Sequence, residues 1–513
     1  MRGLAPDSKI QMRPLMRFKH LGAVAMLALT AAACNNFLDV KPIAELPKEQ
    51  ALTGPTSARA AVVGMYDGLQ DETGGYFYSG DYLFFRDISS DDVDWTGTFT
   101  TFADAEDNNL RSDNGDVRGM WNAMYTTVAR ANFVLQQLPG ISGIDETEKN
   151  QLLGEAYFVR ALVFHDLVIT WGGRNPGDPG IPLPLTPAAD ASVGASATRA
   201  TVAATYTQIL SDLDAAEAKM DPGADDPTRG TLGAVRALRA RVLLFEKDYA
   251  GAEAAATSVE NMTVDGKPGS DPLYELAQNY ADLFTADVPN DDKESIFRLT
   301  FTAQDYSSEG YYYLGRTENE PSKSLAKAYQ PSLDTASAVG GAANPNYLKN
   351  WAPTDLRALT NIVVDPRDKF CGLDLCGTKF PTTVGAEDVH VIRFAEVVLT
   401  RAEAMARQGG TKLPGAVDEV NRIRVRAGLS PLVWGVDLTT QQQVIDEVML
   451  QRRLELAMEG FRWADLVRTG AVDAWVERAQ PAGDQSRIYQ ALYPIPSREI
   501  SVASGLVQNP GYR

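Results

Sequence analysis

Two stretches of the chain concentrate aromatic residues among small polar ones. Between Asp71 and Asp116, Tyr76, Tyr78 and Trp95 stand among Gly, Ser, Thr and Asp, together with Phe84, Phe85, Phe99 and Phe102. Between residues 261 and 388 come Tyr306, the run Tyr311-Tyr312-Tyr313, and Trp351. The chemistry these types support is recognition, not bond breaking. An aromatic ring stacks on the C–H face of a pyranose while flanking Asp, Asn and Thr meet its hydroxyls. Each ring has a rival use as a plug beneath its own loop. For Phe84 and Phe85 the plug is favoured; for Tyr76, Tyr78 and Trp95 the two uses are balanced. Three consecutive tyrosines cannot all face one core in a helix or a strand, so at least one of Tyr311, Tyr312 and Tyr313 is expected to be exposed or at a groove. Gln304, Asp305, Arg316 and Asn319 lie nearby in sequence to supply hydrogen bonds. The candidate ligand-binding residues are therefore Tyr76, Tyr78, Trp95, Tyr306, Tyr311, Tyr312, Tyr313 and Trp351.

Catalytic constellations are poorly represented. The 67 Asp and Glu residues allow a glycosidase pair by composition, yet no segment isolates carboxylates in an apolar frame. Beyond the N-terminal segment only His165 and His390 remain, and there is neither a Gly-x-Ser-x-Gly elbow nor a phosphate-cradling glycine loop. His165, inside an apolar helical stretch, reads as a core residue. No catalytic residue, cofactor or metal is expected. Cys371 and Cys376 bracket a short loop, for which a disulfide is the expected state outside the cytoplasm. A zinc site would need more ligands than the two histidines offer, at a cysteine spacing on the long side. The cluster Ser89 to Asp94 lacks the spacing of a calcium loop and reads as a solvated turn.

The third cysteine has another use. Arg13, Arg17 and Lys19 precede the apolar run Leu21 to Leu29, too short for a stable membrane span but suited to a secretory signal. Thr30-Ala31-Ala32-Ala33 then leads into Cys34. Small residues directly before a cysteine suit a lipoprotein signal peptidase, so residues 1–33 read as a lipoprotein signal peptide, Cys34 as the lipidated residue and 34–50 as its tether. An acylated cysteine anchors a protein without a transmembrane helix.

Periodic helices must hold the aromatic stretches in place. After Val389, Ile392, Ala395, Val398, Leu399, Ala402 and Ala406 recur at three- and four-residue steps, a narrow alanine-rich stripe that lets another helix approach closely. Gly409-Gly410 supplies a stop, Pro414 suits the first turn of a partner, and Ala416, Val420 and Ile423 form the partner's stripe before Gly428. This is a helix hairpin of tetratricopeptide-like (TPR-like) type. Residues 230–245 and 249–260 read the same way, although their long separation from the first pair argues against one uninterrupted solenoid. Further helices are expected over 53–69, 117–138, 145–171 with an Asp145 cap, 201–220, and 441–460 continued by FRWADLVRTG. Within the 145–171 helix, Glu155 and Arg160 suggest a partly buried ion pair. The dense charges of 452–459 read as a solvated or interhelically paired face.

Composition bounds the rest. With 513 residues, 44% hydrophobic and 22% charged, the chain can bury a substantial core. Removing residues 1–33, with five basic groups and one acid, takes the formal charge from −19 to −23. Such a balance repels phosphate backbones, so nucleic acid is not an expected partner.

One set of motifs carries a resemblance over nearly the whole mature chain. These are Cys34 with FLDVKP after it, Trp121 with Tyr125 and Asn132, and GEAYFVRALVFHDLVITWGG at 154–173. RGTLGAVRALRARVLL at 229–244, RFAEVVLTRAEAMARQG at 393–409 and NRIRVRAGL at 421–429 follow, then RRLELAMEGFRWADLVRTG at 452–470, LYPIPSREI and QNPGY. In this order they resemble the SusD/RagB family of outer-membrane nutrient-binding lipoproteins of the starch-utilisation type. The resemblance implies a mainly α fold of TPR-like helical hairpins with irregular inserts and a few short strands. It divides the chain into scaffold 51–260 with an aromatic loop insert 71–116, an irregular ligand-side insert 261–388, and closing hairpins 389–513, together one SusD-like unit. It further implies a non-catalytic, lipid-anchored outer-membrane protein facing the cell exterior. Such a protein captures oligosaccharide or another nutrient and delivers it to a SusC-like TonB-dependent transporter. The rival classes are a glycoside hydrolase using paired carboxylates, separable by glycan turnover, and a TPR-like protein-interaction scaffold, separable by binding of free oligosaccharide. The family motifs are scaffold motifs and assign no ligand residue.

Overall fold

A computed structural model describes residues 52–71, 74–188, 196–285, 288, 292–333, 351–364, 373–473 and 488–512. The chain divides into a short N-terminal unit, residues 1–53, of which only 52 and 53 are described, and a unit over 54–513 that carries the fold. Among the described residues no helix is long and apolar enough to cross a membrane.

The fold is mainly helical, and its helices begin and end where local chemistry dictates. Helix α1 (Pro55–Gln70) opens the scaffold. The next stretch, expected as a loop insert over 71–116, instead holds α2 (Asp81–Ile88), β1 (Val93–Trp95) and α3 (Thr100–Glu106). Pieces this short show no usable periodicity, because their burial is set by the elements packed around them. In α4 (Gly115–Gln137) the Asn114 side chain accepts the amides of Asp116 and Val117, and Met120, Met124, Val128 and Ala131 are buried as one stripe. In α5 (Glu146–Trp171) Asp145 accepts the Thr147 amide at 2.9 Å, Glu146 and Glu148 sit in the first turn, and nearly every residue from Leu152 onward is buried. A helix buried all round must be central, and α5 lies between α4 and α6 (Val202–Glu217).

Glu155 and Arg160 do not pair with each other. Five positions apart, they leave α5 on different faces. Arg160 forks onto Asp212 of α6 at 2.8 and 2.6 Å, while Glu155 accepts Tyr66 Oη–H at 2.8 Å and Arg229 at 2.6 Å.

The two alanine-rich hairpins form as expected. In the first, α7 (Leu232–Glu246) is capped by Thr231 and turns at Lys247 (φ 65°) into α8 (Tyr249–Glu260), capped by Asp248. Among its described residues, the insert that follows includes β2 (Ser295–Leu299), β3 (Asn319–Pro321), α9 (Lys323–Tyr329), α10 (Leu356–Asn361) and β4 (Ile362–Val364). After β5 (Leu375–Gly377) and β6 (Val389–Arg393), the second hairpin joins α11 (Phe394–Gln408) to α12 (Leu413–Arg426). Its turn uses Gly409 (φ 72°) and Gly410 (φ 57°), and Pro414 lies in the first turn of α12.

The separation of the hairpins in sequence does not interrupt the array. Each helix packs on the next, α1 on α4, α4 on α5 and so on to α8, and α8 then packs directly on α11. Small residues on both sides (Ala252 and Ala256; Ala402 and Ala404) permit the approach. Arg401 bonds Glu260 at 2.8 Å and Thr257 at 3.0 Å, and Lys412 bonds Glu253 at 2.5 Å. The insert loops out of a spatially continuous stack.

Two expected helices are shorter than their patterns suggest. Residues 389–393 are strand β6, antiparallel to β2 with Ser295 opposite Arg393 and Leu299 opposite Val389, so Ile392 belongs to a sheet and not to the helical stripe. All five residues of β6 are buried, and a β-branched run buried on both faces favours the extended form. Helix α13 (Gln441–Glu455) ends before FRWADLVRTG, which forms a separate α14 (Arg462–Thr469). Met458 (φ 61°) and Gly460 (φ 72°) turn the backbone between them.

The charges of 452–459 are paired and buried, not solvated. Arg393 bonds Glu455 at 2.6 Å, Glu294 at 2.8 Å and both carboxylate oxygens of Glu459 at 2.9 Å. Glu455 also accepts Arg357 at 3.2 Å and Arg426, and Lys379 bonds Glu459 at 2.6 Å. The network joins the C-terminal end of α13 to β6, α10 and α12.

Candidate functional site

A two-stranded ladder joins the two aromatic stretches. β1 pairs antiparallel with β3, placing Val93 opposite Pro321 and Trp95 opposite Asn319. Just before β3, residues Tyr311–Gly315 form a π-helical turn, whose wider winding sends the three tyrosines to three environments. Tyr313 is 1% exposed and donates to Asp87 at 3.1 Å; Tyr312 is half-buried; Tyr311 is 40% exposed.

Above this turn lies a cleft of about 370 Å³ whose walls include Tyr76, Phe99, Phe102, Tyr306, Tyr311 and Tyr312. Asp81 and Asp116, with Ser79, Thr101 and Ser308, supply its polar groups. The rings support one another. Trp95 lies beneath, 4.7 Å from Phe102 and stacked at 6.3 Å on Phe99, and Tyr312 meets Phe102 at 5.6 Å and Tyr311 at 5.6 Å. Gly97 admits the Trp95 ring, since a Cβ there would meet it at 2.2 Å. The Arg316 guanidinium covers Phe99 at 4.9 Å and Tyr311 at 5.9 Å while paired to Glu318 at 2.7 Å. Tyr76 is set by its amide donating to Asp71 at 3.0 Å and by its ring lying over Gly119, where a Cβ would come within 2.3 Å.

Of the eight rings singled out in the sequence, the fold brings Tyr76, Tyr306, Tyr311 and Tyr312 to one cleft and places Trp95 under it. Three others stand elsewhere. Tyr78 is a core residue, stacked on Phe77 at 4.6 Å and donating to Asp166 at 2.7 Å. Tyr313 is core for the reason just given. Trp351 packs against a separate cluster that contains Leu325, Tyr329 and Leu454. Phe84 and Phe85 are fully buried plugs. Phe99, Phe102, Asp81 and Asp116 were not among the sequence candidates. The signal available for the phenylalanines was their three-residue spacing across a helix start, and for the aspartates there was none.

His165 is buried between Phe245 and Tyr206, with neither ring nitrogen hydrogen-bonded among the described residues, as befits a core residue. The cluster Ser89 to Asp94 is not a solvated turn: Arg462 forks onto Asp91 at 2.6 and 3.1 Å and Arg453 bonds Asp92 at 2.6 Å. Arginines of α13 and α14 thus occupy the carboxylates that a cation would need. Cys376 is buried on β5 and disulfide-bonded; Cys34 and Cys371 lie outside the described residues.

Two carboxyl groups, Asp81 and Asp116, line the cleft. Burial pushes the Asp81 carboxyl well up, and Asp116 and Asp71 push it further; burial likewise raises Asp116. Tyr76 and Tyr312 are raised, first by burial and then by neighbouring carboxylates. Rings backed by carboxyl and hydroxyl groups fit an uncharged polyol with apolar faces, which is the surface of a sugar.

Asp87, directly under the tyrosine turn, is raised from 3.8 to about 7, by burial and then by Asp92, against the opposing Tyr313 and Gly460 hydrogen bonds. A carboxyl raised on folding binds its proton more tightly in the folded chain, so its contribution to stability falls as pH rises from about 3.8 to about 7. Asp87→Asn is expected to flatten that part of the pH dependence of the urea midpoint. An unchanged profile would show that Asp87 does not titrate in this window.

Residues 378–512 match a family model described as the SusD family, and residues 36–244 match one described as starch-binding, associating with the outer membrane. A SusD-like protein of Formosa agariphila is 24% identical over 539 residues, spanning 97% of this chain and 100% of its own. The starch-binding protein SusD of Bacteroides thetaiotaomicron is 36% identical over 132 residues, 25% of this chain and 22% of its own. Among solved structures, a SusD superfamily protein of Bacteroides vulgatus gives a TM-score of 0.72 at 22% identity, covering 90% of this chain and 100% of that one. A laminarin-binding SusD-like protein gives 0.69 at 23%, with the same coverage. At such identities these structures speak for the fold.

Proposed function

The chain belongs to the SusD/RagB family, and on that footing we propose that it is a non-catalytic binding protein that captures oligosaccharide in the aromatic cleft. The observation that carries this reading is the cleft itself: Tyr76 from one aromatic stretch and Tyr306, Tyr311 and Tyr312 from the other, with Phe99 and Phe102, around about 370 Å³ also lined by carboxyl and hydroxyl groups. That relatives are named as binding starch and laminarin supports the ligand class. In this reading residues 1–33 are removed, Cys34 carries the lipid, and 34–50 tether the scaffold 51–260, the insert 261–388 and the closing hairpins 389–513 as one unit. The protein stands on the outer face of the outer membrane and passes its ligand to a SusC-like TonB-dependent transporter. A disulfide between Cys371 and Cys376 closes the loop before and into β5.

The test is a glycan-array screen of protein lacking residues 1–34, followed by calorimetry on each hit with Tyr311→Ala. Tyr311 is exposed, so its loss leaves the fold intact. Truncating an aromatic anchor costs about 2 kcal/mol, about a thirty-fold weaker Kd. Hits that bind Tyr311→Ala as tightly as the parent protein would remove the cleft from the mechanism. Because Asp81 and Asp116 share the cleft, a two-carboxylate hydrolase is the reading to measure against. Release of new reducing ends from a bound glycan, abolished by Asp116→Asn, would replace capture with hydrolysis.

A further inference from the structure

A second cleft adjoins the aromatic one. It measures about 420 Å³, lies between α1 and α4, and shares Gly74 and Tyr76 with the first. Tyr76 therefore stands as a ridge between two hollows. The floor of the second has a clear origin in sequence. On α4, Gly119, Asn122, Thr126 and Arg130 follow one another at steps of three, four and four, which is one face of a helix. Opposite them α1 offers Gly68, where a Cβ would meet Thr127 Oγ1 at 2.8 Å, so the backbones approach and the groove stays free of side chains.

The polar groups there are of two kinds. Arg130 is held by the Gly64 carbonyl at 2.6 Å and by Asp67, and Asp71 carries the Tyr76 amide. Asn122 and Thr126 are exposed and have no hydrogen-bond partner among the described residues. An amide and a hydroxyl free to donate and accept, beside two carboxylates that accept, make a surface for vicinal hydroxyls. They suit a charged group poorly. The basic side chains at the two clefts are already paired, Arg130 with Asp67 in the groove and Arg316, over Phe99 and Tyr311, with Glu318, so among the described residues neither cleft offers an entering anion a free cation.

We propose that the groove between α1 and α4 is a continuation subsite that takes further uncharged sugar residues of the same chain bound in the aromatic cleft, with Asn122 and Thr126 as its hydrogen-bonding contacts. The subsite rests on the aromatic cleft being the glycan site. Division of labour follows from the linings: rings in the first cleft supply apolar contact, and side-chain hydrogen bonds in the second reward length. Capture is then selective for a chain long enough to cross Tyr76.

The experiment is calorimetry on the protein lacking residues 1–34 with malto- and laminari-oligosaccharides from disaccharide to octasaccharide, and with oligouronates of the same lengths. The variants are Tyr311→Ala and the double variant Asn122→Ala/Thr126→Val, each checked for an unchanged melting temperature. Expected is an affinity that climbs about tenfold as the neutral chain lengthens beyond what the aromatic cleft holds. In the double variant the climb is lost, so its deficit grows with chain length, and oligouronates bind at least tenfold more weakly than neutral chains of equal length. A climb that survives the double variant, or no climb at all, overturns the subsite. Oligouronates that bind as well as neutral chains overturn its ligand class. If Tyr311→Ala leaves short chains unaffected, or no oligosaccharide binds, the aromatic cleft itself is not the site, and the continuation falls with it.

Discussion

Glu455→Ala is expected to lower the unfolding free energy by about 3–5 kcal/mol, the cost of stripping a buried charge network of one member and leaving the others unpaired. Glu455 is fully buried and its carboxylate accepts from Arg357, Arg393 and Arg426. Burial alone would raise its carboxyl; Arg426, Arg393 and Arg357 outweigh that and hold it well below the usual carboxylate range. The sign follows. A carboxyl depressed on folding contributes stability that is complete above its ordinary value of 4.5 and is lost as pH falls below it. The measurement is the urea midpoint of Glu455→Ala at neutral pH, with Arg426→Ala and the double variant to close a cycle. A single-variant loss under about 1 kcal/mol would mean that water or rearrangement satisfies the arginines, and that the network is not what clamps α13 to β6 and α12.

Tyr313→Ala should be nearly as costly, and its effect should reach ligand binding. The Tyr313 ring is buried among Phe84 and Phe380, its hydroxyl donates to Asp87 at 3.1 Å, and it lies so close to Gly377 that a Cβ there would meet it at 2.7 Å. Removing a buried aromatic side chain costs about 3–5 kcal/mol. Tyr313 is also the peg of the π-helical turn that presents Tyr311 and Tyr312, so glycan affinity should fall although Tyr313 touches no ligand. Tyr313→Phe, which keeps the peg and loses only the hydroxyl, should retain affinity and lose about 1 kcal/mol of stability. If Tyr313→Ala is destabilised but binds glycan like the parent protein, the turn is held by other contacts and Tyr313 is not coupled to the cleft.

Most of the scaffold was legible because its signals are local. The Asp145 cap, the Gly409-Gly410 stop, Pro414 in a first turn and the alanine stripes each act within one or two helical turns, so a linear reading reaches them. Where it failed, a distant partner decided. Val389 to Arg393 carries apolar residues that extend the periodic stripe of α11, yet β2, nearly a hundred residues earlier, draws it into a sheet. The Ser89 to Asp94 cluster looks solvated until α13 and α14 bring Arg453 and Arg462 to it. Glu155 and Arg160 share a helix but answer to different neighbours.

The candidate site divides along the same line. Residue type alone marked aromatic rings set among small polar residues as candidates for a sugar-binding surface, and consecutive numbering alone required that Tyr311, Tyr312 and Tyr313 part company. Which ring points outward, and that Tyr76 and Tyr306 join Tyr311 and Tyr312 while Tyr78 and Trp351 do not, depends on the register of β1 against β3 and on the winding of one π-helical turn. The ladder couples positions more than two hundred residues apart. Sequence periodicity, which reports on neighbours within a few residues, carries no record of such a pairing.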